Sequence, residues 1–147
     1  NAIHTFAGIR LRRDCNEIMQ KQGHNEPTGQ AKITPAYNLP CKYVIHTVGP
    51  IVGGSLTEDD CELLKSCYLY CLNEAVKNNL NSIAFCCIST GEFHFPNDIA
   101  AQIAVNTVKE YQKEHKIEVI FNVFKDSDKQ IYRELLSADQ TNTETIK

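Results

Sequence analysis

Cys87-Ile88-Ser89-Thr90-Gly91-Glu92-Phe93-His94-Phe95-Pro96 carries the apolar run 82–88 into a glycine-bearing turn just ahead of a helical stretch. A strand entering such a turn leaves several backbone N–H groups without ladder partners, and the helix that follows adds its positive dipole end. An anion fits there without any lysine, which is how proteins commonly hold phosphate. Gly91 would let the backbone approach a ligand closely. The same letters also suit a plain strand-to-helix connector, so the turn needs support from elsewhere in the chain.

The 147 residues are enough for one domain, and 42% hydrophobic residues interspersed with charges suit a globular chain. A formal net charge of −3 without a basic cluster argues against nucleic acid as a partner, because phosphate-backbone binding needs many Lys and Arg contacts. No apolar stretch approaches the roughly 20 residues of a membrane span, so no membrane partner is expected. The first residues lack a charged-then-apolar export signal, and a cytoplasmic location is expected.

Seven cysteines cannot all pair internally, and several sit in strand or helix patterns as small hydrophobes, so reduced thiols are expected. Cys67 and Cys71 share a helical face that Cys61 does not, adjacent Cys86 and Cys87 point to opposite faces of a strand, and no CxxC pair exists. A self-contained structural zinc site is therefore not expected. His24-Asn25-Glu26 and Pro40-Cys41 touch the zinc-deaminase pattern, which fails at Val44, where its second cysteine should stand. Five histidines allow many Cys–His pairings, but no nucleophile signature surrounds any of them.

Around the turn the chain alternates. Apolar Ile3, Phe6, Ala7, Ile9, Leu11, Ile18 and Met19 predict a helix over 3–22, with Gly23 as its stop. Residues 31–34 and 42–48 read as strands, the second closed by Gly49-Pro50. Thr57 offers an N-cap, Glu58, Asp59 and Asp60 suit a first turn, and an apolar stripe runs from Leu63 to Val76. The 82–88 run predicts a strand buried on both faces, hence a parallel sheet. Asn97 or Asp98 should cap a helix reaching Tyr111, 117–124 should form another buried strand, and 127–136 the last helix. The polar tail 137–147 is expected to fray. In such an alternation ligands sit beyond the carboxyl ends of strands, where both the 89–93 turn and residues 122–124 fall.

Three segments carry a resemblance. Thr34-Pro35-Ala36-Tyr37-Asn38-Leu39-Pro40-Cys41-Lys42-Tyr43-Val44-Ile45-His46-Thr47-Val48-Gly49-Pro50, with Phe6-Ala7-Gly8 and Ala84-Phe85-Cys86-Cys87-Ile88-Ser89-Thr90-Gly91-Glu92-Phe93, resembles the macrodomain family of ADP-ribose-binding modules. The spacing between the segments matches, and the likeness runs from Asn1 to about Leu136. It is nearest to the zinc-dependent macrodomains of bacteria and microbial eukaryotes. The resemblance implies an α/β fold, a three-layer α/β/α macrodomain over 1–136 with a mostly parallel central sheet.

It also implies a site. The loop matching Ser89, Thr90, Gly91, Glu92 and Phe93 would wrap the diphosphate and distal ribose of ADP-ribose, and Phe124 would lie against the adenine. Ser89 would offer a hydroxyl and a backbone donor, Thr90, Gly91 and Glu92 their N–H groups, and Phe93 a rim. Core packing is the other reading of Phe93, Phe95 and Phe124. Asn122, read inside an apolar strand, needs partners from a neighbouring loop or from a nucleotide, and the former is preferred. His46 is read as a buried histidine satisfied by backbone, His94 as solvent-facing and His4 as structural.

Such relatives remove ADP-ribose from mono-ADP-ribosylated proteins. The alternatives are a reader that performs no chemistry and an inactive fragment. Relatives carry, ahead of the position of Asn1, an acidic residue, zinc-binding Cys and His residues and further strands. The resemblance therefore implies an N-terminally truncated domain, a catalytic zinc loop outside this chain, and sheet edges open to association.

Overall fold

The computed structural model describes residues 2–144, with side chains described over 3–138. The expected first helix is two: α1 (Ala2–Ala7) and α2 (Ile9–Gln22), parted at Gly8, whose φ of 93° only glycine adopts without strain. The break has a use. Asn38, in the loop between the first two strands, donates its N–H to the Ala7 carbonyl, Tyr37 donates its hydroxyl to the Asp14 carboxylate, and Arg10 lies 4.8 Å from the Tyr37 ring centre. Gly23 ends α2 in the left-handed conformation, its N–H on the Met19 carbonyl, as the periodicity predicts.

Strands β1 (Ala31–Pro35) and β2 (Tyr43–Thr47) pair antiparallel, Ala31 opposite Thr47. The pairing is antiparallel because residues 36–42 are too few for the dozen or so that a parallel crossover needs. Strands β3 (Ser82–Phe85) and β4 (Glu118–Phe121) do pair parallel, with helix α4 (Asn97–Gln112) as the crossover. Among the described residues the two ladders form separate two-stranded sheets.

The β3–β4 pair is shorter and more exposed than the run 82–88 suggests. Phe85 is buried and Ile83 half-buried, whereas Ser82 and Ala84 are exposed; on β4, Val119 and Phe121 are half-buried, and Glu118 and Ile120 are exposed. Only one face is covered: Phe85 meets Tyr68 of helix α3 (Glu58–Lys77) at 4.9 Å between ring centres. Phe121 meets Tyr132 of helix α5 (Asp126–Glu144) at 5.0 Å.

Helix α3 organises the core. Leu64, Cys67, Tyr68, Cys71, Leu72 and Ala75 are buried along it, and it packs on β1, β2, β3 and α4. Its start is the capping box expected of Thr57, whose hydroxyl accepts from the Asp60 N–H at 3.1 Å while the Asp60 carboxylate accepts from the Thr57 N–H at 3.0 Å. Helix α4 differs from expectation: Pro96 occupies the cap position, and Asn97, the first helical residue, donates its side-chain amide to Asp128 of α5 at 2.6 Å. Helix α5 continues past Leu136 to Glu144, since no Gly or Pro follows to stop it, so most of the expected tail is helical. No described helix is long and apolar enough to cross a membrane.

Candidate functional site

The register pairs Phe85 with Phe121, so β3 and β4 end at one level, and the Asn122 N–H closes the ladder on the Phe85 carbonyl at 2.8 Å. From that edge the chain enters the 89–93 turn. Phe95 donates its N–H to the Ser89 carbonyl at 3.0 Å, His94 to the Gly91 carbonyl at 3.1 Å, and the Thr90 hydroxyl to the Cys87 carbonyl at 3.2 Å. Among the described residues the N–H groups of Thr90, Gly91, Glu92 and Phe93 donate to no protein acceptor. Helix α4 begins four residues beyond Phe93, its first turn without a side-chain cap. Consecutive free donors ahead of an uncapped helix start form a concentration of positive partial charge suited to an anion.

The turn is bracketed by strain. Ser89 has φ 64° and His94 φ 59°, a left-handed conformation that costs a non-glycine residue on the order of 1–2 kcal/mol. Such residues persist where surrounding structure holds them, and they gather at functional sites. A Cβ added to Gly91 would meet nothing within 4 Å, and Gly91 has no left-handed φ. The protein itself therefore places no demand for glycine there, and the space over it is open.

A wall that sequence reasoning missed stands beside the turn. Residues 48–52, not expected at the site, run along it: the Val52 N–H donates to the Phe93 carbonyl at 2.9 Å, and Gly49 abuts Ser89 and Ile88. A glycine preceding proline at a strand end was the available signal, and it says nothing about which loop lies opposite.

The other expected residues divide. Phe93 is half-buried at the turn, and Phe95 is 1% exposed, a core residue. Phe124 is 95% exposed, three residues past the end of β4. Asn122 lies just outside β4, exposed. It lines a cavity of about 410 Å³ between α4, β4 and α5, beside Lys109, Lys129 and Arg133, to which no residue of the 89–93 turn contributes. Its exposed amide can find water, so the expected need for a buried partner does not arise.

A second cavity of about 190 Å³ gathers His4, Cys15, Glu26, Lys32, Thr34 and His46 between α2 and the first sheet. His46 pairs through Nε2 with the Thr34 hydroxyl at 2.9 Å, a side-chain partner in place of the expected backbone one, and lies 3.8 Å from Cys15 Sγ. Burial, then the nearby His4 charge, lower the His46 pKa, and burial, then the Asp14 charge, raise that of Cys15. Both effects favour neutral imidazole and neutral thiol, the reverse of an activated Cys–His nucleophile. His94 is exposed, as expected. All seven cysteines are free thiols, and among the described residues no three His, Cys, Asp or Glu side chains are placed to hold a metal ion. The resemblance places the zinc ligands ahead of Asn1, and Asn1 itself lies outside the described residues.

Residues 1–104 match the family model described as Macro domain. The chain is 58% identical over 139 residues to a protein-ADP-ribose hydrolase of Treponema medium, covering 93% of this chain and 53% of that protein. It is 44% identical over 137 residues to the ADP-ribose glycohydrolase MACROD1 of Mus musculus, covering 91% and 41%. The chain thus spans about half the length, or less, of these curated relatives. Among solved structures, the Oceanobacillus iheyensis macrodomain with ADP superposes at TM-score 0.87 with 36% identity, covering 96% of this chain and 75% of that one. The Trypanosoma brucei macrodomain in complex with ADP-ribose superposes at 0.78 with 33% identity, covering 92% and 55%.

Proposed function

The chain belongs to the Macro domain family, and we propose that its 89–93 turn binds the diphosphate of ADP-ribose. The observation that carries this is the row of uncommitted N–H groups from Thr90 to Phe93, held between the strained Ser89 and His94. Each N–H···O⁻ bond to a charged oxygen is worth about 1.5–3 kcal/mol, so a few offset the loss of phosphate hydration. The Ser89 hydroxyl, expected as a further donor, is instead buried against Gly49 without a hydrogen-bond partner. The open space over Gly91 leaves room for a pyrophosphate against the backbone. Phe93 offers a half-buried rim for the distal ribose, and the bare ring of Phe124 a stacking face for adenine. That related macrodomains have been solved with ADP and with ADP-ribose supports the ligand.

The relatives named protein-ADP-ribose hydrolase support a further reading, in which the turn holds the ADP-ribosyl group of a modified protein while its bond to the side chain is hydrolysed. In that reaction the described residues bind and orient the leaving ADP-ribose. Seven free thiols favour a reducing compartment and support a cytoplasmic setting.

Calorimetric titration of ADP-ribose into the chain, with AMP and zinc as controls, tests the site. Saturable heat from ADP-ribose and weaker binding of AMP, which lacks the diphosphate, are expected. A folded sample that gives no heat with ADP-ribose overturns the reading.

A further inference from the structure

Gly49 stands two residues beyond β2 with the turn directly against it. A Cβ built on Gly49 would overlap Ser89 Oγ and lie 2.7 Å from Ile88 Cγ2, closer than real contacts allow, and 3.3 Å from Ser89 Cβ, tighter than most. Its φ lies outside the left-handed region, so glycine is needed here for space and not for backbone freedom. Gly53, in the same segment and equally free of a left-handed φ, would meet nothing within 4 Å. The crowding is therefore particular to Gly49.

What it crowds is a strained residue. Ser89 holds φ 64°, and its buried hydroxyl has no hydrogen-bond partner to anchor it, so the side chain is placed by contact with its neighbours. At the other end of the turn, Val52 fixes the Phe93 carbonyl by a 2.9 Å hydrogen bond. Residues 49–52 thus grip the turn twice, by steric fit at Ser89 and by a hydrogen bond at Phe93, with the free N–H groups between the two grips.

We infer that Gly49 is a positioning residue for the ligand site: its missing side chain lets β2's exit seat Ser89, which sets where the Thr90–Phe93 donors stand. As a contribution to binding, this rests on the reading of the turn as an ADP-ribose site. A methyl at position 49 must push Ser89 aside, and displaced donors no longer converge on one anion.

The test compares wild type, Gly49→Ala, Ser89→Gly and the double variant by ADP-ribose calorimetry and by ¹H–¹⁵N spectra of the free proteins, with Gly53→Ala as control. Gly49→Ala is expected to bind at least about tenfold more weakly, the equivalent of 1.4 kcal/mol, and to move the amide resonances of Thr90 to Phe93. Adding Ser89→Gly removes the clashing side chain and is expected to restore both readouts towards the Ser89→Gly single variant. Recovery should be partial, because the Ile88 contact remains. Gly53→Ala should match wild type. Wild-type affinity and unmoved resonances in Gly49→Ala overturn the inference, as does a double variant no better than Gly49→Ala. If Gly49→Ala does not fold, a folded double variant supports the inference and two unfolded variants overturn it. Should wild type bind no ADP-ribose while the resonances move and return as described, the ligand reading fails and the positioning role stands.

Discussion

The Val52 N–H donates to the Phe93 carbonyl at 2.9 Å, tying the segment after β2 to the turn after β3 although those strands share no ladder. The candidate site is thus held from both sheets: β3 and β4 deliver the turn, and the exit of β2 fixes its far end. Changes in either sheet should be felt at the same donors.

Gly91→Ile is expected to abolish stabilisation by ADP-ribose while leaving the free protein's melting temperature almost unchanged. The new side chain enters open space at an ordinary φ, so it strains nothing until a ligand arrives. At a hundredfold excess over Kd, wild type should gain about 2.7 kcal/mol. A thermal-shift series checks this, and an undiminished shift in the variant would show that the ligand lies elsewhere.

Asn97→Ala should lower stability by about 1.5–3 kcal/mol, the range for a hydrogen bond to a charged group. The Asp128 carboxyl is 7% exposed and accepts from Asn97 at 2.6 Å, so truncation leaves a buried acceptor unpaired. Urea denaturation reads the change as a lower midpoint at constant slope. Asn97→Asp should be worse, because it sets two carboxyls against each other.

Thr57→Ala should cost about 1 kcal/mol by removing the hydroxyl half of the α3 capping box. Ligand affinity should stay as in wild type, since α3 gives the turn no hydrogen bond among those described. A loss much above 2 kcal/mol would mean that Thr57 does more than cap.

Stability should fall as pH drops below about 6.5, through His46. Burial, followed by the His4 charge, holds its folded pKa below the ordinary 6.5, so the unfolded chain takes up a proton that the folded chain refuses. Stability from this residue is fully present above 6.5 and lost as pH falls towards the folded pKa. Thr34, Cys15 and His4 lie around it, and Lys32, its cross-strand partner, and Glu26 line the same cavity. Urea midpoints between pH 7.5 and 5.5 should slope downward in wild type and flatten in His46→Gln; equal slopes would assign the effect to other groups.

Much of this molecule was legible locally. Thr57 with the acidic residues after it announces a helix start, because a cap is satisfied within four residues. Gly23 announces a stop, and the strand–turn–helix run 82–96 places the candidate site without reference to the rest of the chain. Family likeness then supplied a ligand class that no periodicity contains.

Tertiary structure decided what depends on distant neighbours. Periodicity runs through Gly8 unbroken, and only the docking of the Asn38 loop accompanies the split into α1 and α2. Apolar letters at 82–88 suggest burial on both faces, but exposure depends on which helices arrive, and here Tyr68 and Tyr132 cover one. Asn97 has the chemistry of a cap and is drawn instead to Asp128, 31 positions away. Gly49 is the sharpest case: the sequence determined that a glycine stands before Pro50, while only the fold brought Ser89 against it and turned a missing methyl group into the space the site requires. Local hydrogen bonds and φ preferences are written in neighbouring residues, whereas excluded volume acts between atoms that only folding brings together.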